Sequence, residues 1–108
     1  MQIVSIPTNN QGFRNAILSK RCTVINIKSA DCTPCQHAYA RYEKLVEGYA
    51  ERTDLQFGCI VIDSKNKDFI INELGIKKIP TFDVYMDGKL VHRGKSPDQA
   101  MVDLYNIL

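Results

Sequence analysis

The chain has 108 residues, long enough for one compact domain (1–108) and too short for two, and its 44% hydrophobic and 24% charged residues are those of an ordinary soluble protein. With 14 Lys+Arg against 12 Asp+Glu the net charge is +2, and no long block of like charges marks a nucleic-acid arm or a membrane patch. No apolar run approaches the roughly 18–20 residues of a membrane span, and "MQIVSIPTNN" lacks the basic start and apolar core of a secretory signal, so a cytoplasmic location is expected.

"QIVSI" predicts a first strand, and Asn9-Asn10 caps a helix from Gln11 to Lys20 whose Phe13 and Ile17 lie one turn apart. The β-branched run Cys22 to Lys28 reads as a strand buried on both faces. From Pro34 to about Glu51, Ala38, Tyr42, Leu45, Val46 and Tyr49 recur at helical spacing, which makes this the longest helix and its tyrosines packing residues. Leu55 to Asp63 is a third strand, and "KDFIINELG" a short helix closed by Gly75. Thr81 to Met86 and Lys89 to Arg93 are strands joined by the two-residue hairpin signal Asp87-Gly88. Ser96, Pro97 and Gln99 form a capping box, and Met101, Leu104 and Leu108 supply the buried face of a last helix. The order is βαβαβαββα: an α/β fold with a central mixed five-stranded sheet flanked by four helices, its first three strands parallel and the hairpin antiparallel.

Between the second strand and the long helix lies "SADCTPCQHA". Four cysteines in a chain with no secretory signal do not predict a disulfide framework, because a reducing compartment keeps structural thiols reduced. A close Cys-x-x-Cys pair there is redox-active or half of a zinc site; zinc usually takes four protein ligands, and a second close pair is missing. At a helix amino terminus, unpaired N–H groups and the helix dipole lower the pKa of the first cysteine. Cys32 is then the nucleophile and Cys35, one turn on and less exposed, the resolving thiol. Pro34 suits the first turn, where its missing N–H is not needed. No metal is expected. His37, about 200° round the helix from Cys35, is expected to face solvent, and His92 to be structural or exposed.

"INIKSADCTPC", "GIKKIPTF", "DGK" and Gly94, at matching places along nearly the whole chain, resemble the thioredoxin family. The resemblance implies a thiol-disulfide oxidoreductase acting on protein disulfides through Cys32 and Cys35, with Asp31, Thr33 and Pro34 in the active-site loop. It implies a cis bond before Pro80, and a substrate segment pairing with the backbone there, beside Ile79, Thr81 and Gly94. It also implies no cofactor bound to the domain: electrons come from NADPH through a thioredoxin reductase, and a monomer is expected. A double glycine that helps glutaredoxins hold glutathione is not present in "HRGKSPD".

This chain departs from the family at informative places. The family usually has Trp before the first cysteine, Gly-Pro between the cysteines, a buried Asp six residues before the first cysteine and a Lys near that Asp. Here stand Asp31, Thr33-Pro34, Asn26 and Cys59. Asn26 cannot titrate, so Cys35 has to lose its proton to water or another group. Asp31 opposes a thiolate at Cys32, while Lys28 and the helix end favour it. Thr33-Pro34 keeps the proline of reductants, and the direction expected is reduction; a disulfide oxidase or isomerase, and a redox-poor interaction module, are the alternatives. If Asn26 lies beside Cys59, Cys22 is roughly 13 Å away along the strand, and both are expected to be buried free thiols. Lys77, Lys78, Arg93 and Lys95 flank Pro80 and Gly94. They predict a preference for acidic substrates, with a solvated basic surface as the other reading.

Overall fold

The computed structural model describes residues 2–108. Alternation along the second strand, β2 (Cys22–Ser29), sets the layers: Val24 packs into one core, and Ile25 and Ile27 into another on the opposite face. β2 pairs in parallel with β3 (Leu55–Ile62), which pairs in parallel with the short β1 (Ile3–Ser5). On its other side β2 pairs antiparallel with β4 (Thr81–Met86), and β4 with β5 (Lys89–Gly94), giving the order β1-β3-β2-β4-β5. The mixed five-stranded sheet is the expected one.

Helix α1 (Asn10–Leu18) lays Phe13 and Ile17 against Ile25, Ile60 and Tyr85 on one face. Its cap is Asn9, whose side-chain oxygen accepts the N–H of Gly12 at 2.7 Å. On the other face α2 (Thr33–Glu47) and α3 (Pro97–Ile107) cover Val24, Phe57, Phe82 and Val84. Fully buried Tyr42 is the hub of that core: its ring meets Tyr39, Phe57 and Phe82 edge to face. Its hydroxyl donates toward the carbonyls of Val24 (3.1 Å) and Gly58 (3.0 Å), which ties α2 to both central strands. Among the described residues no helix is long and apolar enough to cross a membrane.

Several sequence expectations change in detail. α2 stops at Glu47, with Gly48 as its cap, rather than near Glu51; Tyr49 lies in the following turn yet still packs against Phe57. The short helix is a π-helical turn over Phe69–Glu73, closed by bonds from Leu74 N–H to Phe69 C=O and from Ile76 N–H to Ile70 C=O. Gly75 takes the left-handed conformation (φ 70°) that ends it. Asp87 and Gly88 both have positive φ (53° and 80°), as a two-residue hairpin turn requires. Only half of the capping box forms: Ser96 Oγ accepts from Gln99 N–H (3.2 Å), but the Gln99 amide turns to Asp103 instead. Leu108 falls beyond the end of α3 and is exposed, while Ile107 beside it packs against the core and Ala100 is buried in it.

Candidate active site

β2, the middle strand, ends at Ser29, and α2 begins at Thr33. Cys32 is the N-cap: its backbone is extended (φ −105°, ψ 108°), and its carbonyl accepts the first helical bond from Gln36 N–H at 3.1 Å. The Cys32 sulfur occupies the place of a capping oxygen and accepts the Cys35 N–H at 3.2 Å. Negative charge at this sulfur therefore meets a directed N–H donor as well as the helix dipole. Pro34, in the first turn, has no N–H to leave unpaired.

Cys32 and Cys35 are joined by a disulfide across a Cα–Cα distance of 5.1 Å. The two sulfurs differ in access, since Cys35 is 0% exposed and Cys32 half-buried. Asp31, Thr33 and Pro34 are exposed around them, as is His37.

Because β4 runs antiparallel to β2, it starts where β2 ends, with Thr81 opposite Ile27. The Ile79–Pro80 peptide bond just before it is cis. Gly94 ends β5 opposite Phe82, so Pro80, Thr81 and Gly94 line one groove with Lys77, Lys78 and Lys95. Arg93 does not belong with these free cations. Its Nε and Nη2 donate to the two oxygens of Asp83 at 2.7 and 2.8 Å, and its Nη1 toward Gly75 C=O at 3.4 Å. The ion pair holds the Arg93 pKa above its ordinary value, chiefly through the bonds to Asp83. Asp83 is 1% exposed, and it also accepts from the Tyr85 hydroxyl at 3.2 Å. Sequence alone did not reveal this pair.

Asn26 is fully buried, side by side with Cys59 and opposite Phe82. Its amide nitrogen donates to Thr81 C=O at 3.2 Å, which couples β2 to the residue after Pro80; its Oδ1 has no partner among the described residues. Leaving such an acceptor unpaired costs about 1–3 kcal/mol. Asn26→Asp would put a carboxyl in this space. Burial disfavours its charged form, so its folded pKa would lie above the unfolded value of about 3.9. The stability gap to wild type should then be smallest at low pH and widen as pH rises, by about 1.4 kcal/mol per unit of pKa shift, levelling off above the folded pKa. Denaturant melts at successive pH values measure this; a gap independent of pH would show that the carboxylate reaches water.

Cys22 is buried, but Cys59, which pairs with Ser5 at the end of β1, is only half-buried. Both are free thiols four residues apart in register, since Cys22 pairs with Leu55 and Asn26 with Cys59. Burial pushes both pKa values up, and Lys28 lowers that of Cys59 in part. The Lys28 ammonium lies 3.5 Å over the Tyr39 ring. His92 is structural, with Nδ1 2.6 Å from Asp103 on α3. Among the described residues, no three His, Cys, Asp or Glu side chains gather as metal ligands.

Known proteins resemble this chain in both sequence and fold. The family model for thioredoxin matches residues 4–105. The chain is 31% identical over 71 residues to the chloroplastic thioredoxin F2 of Arabidopsis thaliana, over 66% of this chain and 36% of that protein. It is 32% identical over 71 residues to the chloroplastic F-type thioredoxin of Pisum sativum, over 66% of this chain and 37% of the relative. The match thus spans little more than a third of either relative's length. Among solved structures, the short form of thioredoxin F from spinach chloroplast superposes with a TM-score of 0.79 at 22% identity, over 97% of this chain and 92% of that one. Plasmodium falciparum thioredoxin gives 0.73 at 24% identity, over 96% and 98%. By the family model's span over nearly all its residues, this chain belongs to the thioredoxin family.

Proposed function

We propose that this protein is a thiol-disulfide oxidoreductase that reduces protein disulfides through Cys32 and Cys35. The observation that carries the reading is the Cys32–Cys35 disulfide with its Cys32 sulfur capping α2. In the reduced protein the Cys32 thiolate attacks one sulfur of a substrate disulfide. A mixed disulfide forms, and the other substrate sulfur leaves as a thiolate that takes up a proton. Cys35 then gives its proton to solvent, and its sulfur attacks Cys32. The internal disulfide closes and the second substrate thiol departs, so two electrons have passed from protein to substrate. The difference in access supports this order, since buried Cys35 is poorly placed to meet an incoming protein. Asn26 supplies no base for the second step, so that step depends on solvent for proton removal.

Ile79, Pro80, Thr81 and Gly94 are proposed to border the substrate. An extended segment there gains main-chain hydrogen bonds, which give affinity with little demand on sequence. The oxidised protein would be reset by a thioredoxin reductase with electrons from NADPH. Turnover in this direction suits a reducing compartment such as the cytoplasm.

Equilibration of the Cys32/Cys35 pair in graded glutathione buffers tests the direction. A potential near roughly −270 mV is expected; one nearer −120 to −180 mV would make the protein a disulfide donor or isomerase instead.

A further inference from the structure

Two grooves of different chemistry meet at Ile79-Pro80. On the Pro80 side, Pro80, Thr81 and Gly94 form a groove of ≈ 560 Å³ walled by lysines. Lys77, Lys78 and Lys95 are exposed, and none of them has a carboxylate partner among the described residues. Arg93 lies in the same wall, but Asp83 neutralises it, so the groove's uncompensated charge comes from the three lysines. On the Ile79 side lies a second groove of ≈ 380 Å³. Its walls are the isoleucines 62, 70, 71, 76 and 79, with Ile71 46% exposed at the rim and Ile70 and Ile76 buried beneath. Ile62 ends β3 beside Ser29, at the same end of the sheet from which the chain leads to Cys32. Lys77 and Lys78 line both grooves and form the ridge between them.

We propose that the protein recognises substrate disulfides by a two-part sequence code: an aliphatic side chain on one side of the attacked cysteine and a carboxylate on the other. This rests on the reading of Cys32 and Cys35 as a protein-disulfide reductant. In an extended segment crossing the Ile79-Pro80 backbone side chains alternate between faces, so the residues two before and two after the cysteine share its face and reach opposite ends of the site. One end is the isoleucine groove, which takes Leu, Ile or Val out of water. The other end is the lysine wall, which attracts Asp or Glu and repels Lys or Arg. Because the two ends differ, the code has a direction: exchanging the flanking residues presents the carboxylate to isoleucines and the aliphatic chain to lysines. A uniformly basic rim would not distinguish the two orders.

The test is a panel of short peptides whose single cysteine is held as a mixed disulfide with a chromophoric thiol. The residues two before and two after the cysteine are Leu or Ala on one side and Glu, Gln or Lys on the other, in both orders. Second-order rates with the reduced protein should rise about tenfold from the Ala/Gln peptide to the Leu/Glu peptide in one order only. Added salt should erase the Glu part of that gain and leave the Leu part. In the Lys77→Glu/Lys95→Glu protein the preference should move from the Glu peptide to the Lys peptide. Ile71→Asn should remove the leucine gain while keeping the charge preference. Equal rates across the panel, or equal gains in both orders, would overturn the code. Wild-type reaction with a small uncharged disulfide is measured alongside. Failure there removes the reductant reading and the code with it, whereas normal reaction with a flat peptide panel removes the code alone.

Discussion

Cys35→Ser should arrest the protein after half a turnover, holding one substrate molecule per protein as a mixed disulfide on Cys32, visible on non-reducing gels and by mass spectrometry. The expectation follows from the unequal placement of the sulfurs. Cys32 sits at the surface on a helix cap, and only a second thiol held against it can release the product. Cys32→Ser should instead trap nothing and reduce disulfides no faster than the buffer thiol alone, because the remaining thiol is 0% exposed. If Cys32→Ser traps partners as well as Cys35→Ser does, the two roles are assigned the wrong way round. Serine is close in size to cysteine, so both variants should melt near the reduced wild type.

The largest effect on stability is expected at Arg93→Ala. Asp83 is 1% exposed, and without the guanidinium its carboxylate keeps only the Tyr85 hydroxyl. Removing one partner of a buried pair costs about 3–5 kcal/mol, and the partial exposure of Arg93 (31%) puts this case near 3. For a domain of this size that lowers Tm by roughly 10–20 °C. Arg93→Ala/Asp83→Asn should be more stable than Arg93→Ala alone, since the stranded charge is gone. A double variant no better than the single would mean that the arginine acts through its packed alkyl chain rather than through its charge.

The contrast between these two sites shows where sequence is informative. The cysteine pair, Pro34 and Asp87-Gly88 are local devices, whose backbone demands are met within a few residues, and these could be read directly. Asp83 could not. A lone acid in "TFDVYM" reads as a solvent-facing strand residue, and its partner Arg93 is brought opposite only by the pairing of β4 with β5. Lys28 shows the same limit: its place over the Tyr39 ring depends on where α2 packs, which its neighbours in sequence do not state. The π-helical turn over Phe69–Glu73 escaped because its apolar spacing fits an α-helix about as well. The isoleucine groove escaped because its walls come from β3, the π-helical turn and the loop before Pro80, which share no periodicity. The early end of α2 was missed because Tyr49 keeps helical spacing although Gly48 has already broken the helix.

Leu90 and Val91 are exposed on β5, which forms one outer edge of the sheet. Tyr85 pairs with Leu90 and Val84 with His92, so Val91 is left over as a bulge. An edge carrying an extra residue cannot offer an even row of backbone groups to a strand from another molecule, and Lys89 adds a charge at its start. The opposite edge, β1, is only three residues long. Neither margin of the sheet is a good seed for strand-by-strand aggregation, and the protein can leave two β-branched or aliphatic side chains in water without turning that edge into a polymerisation surface.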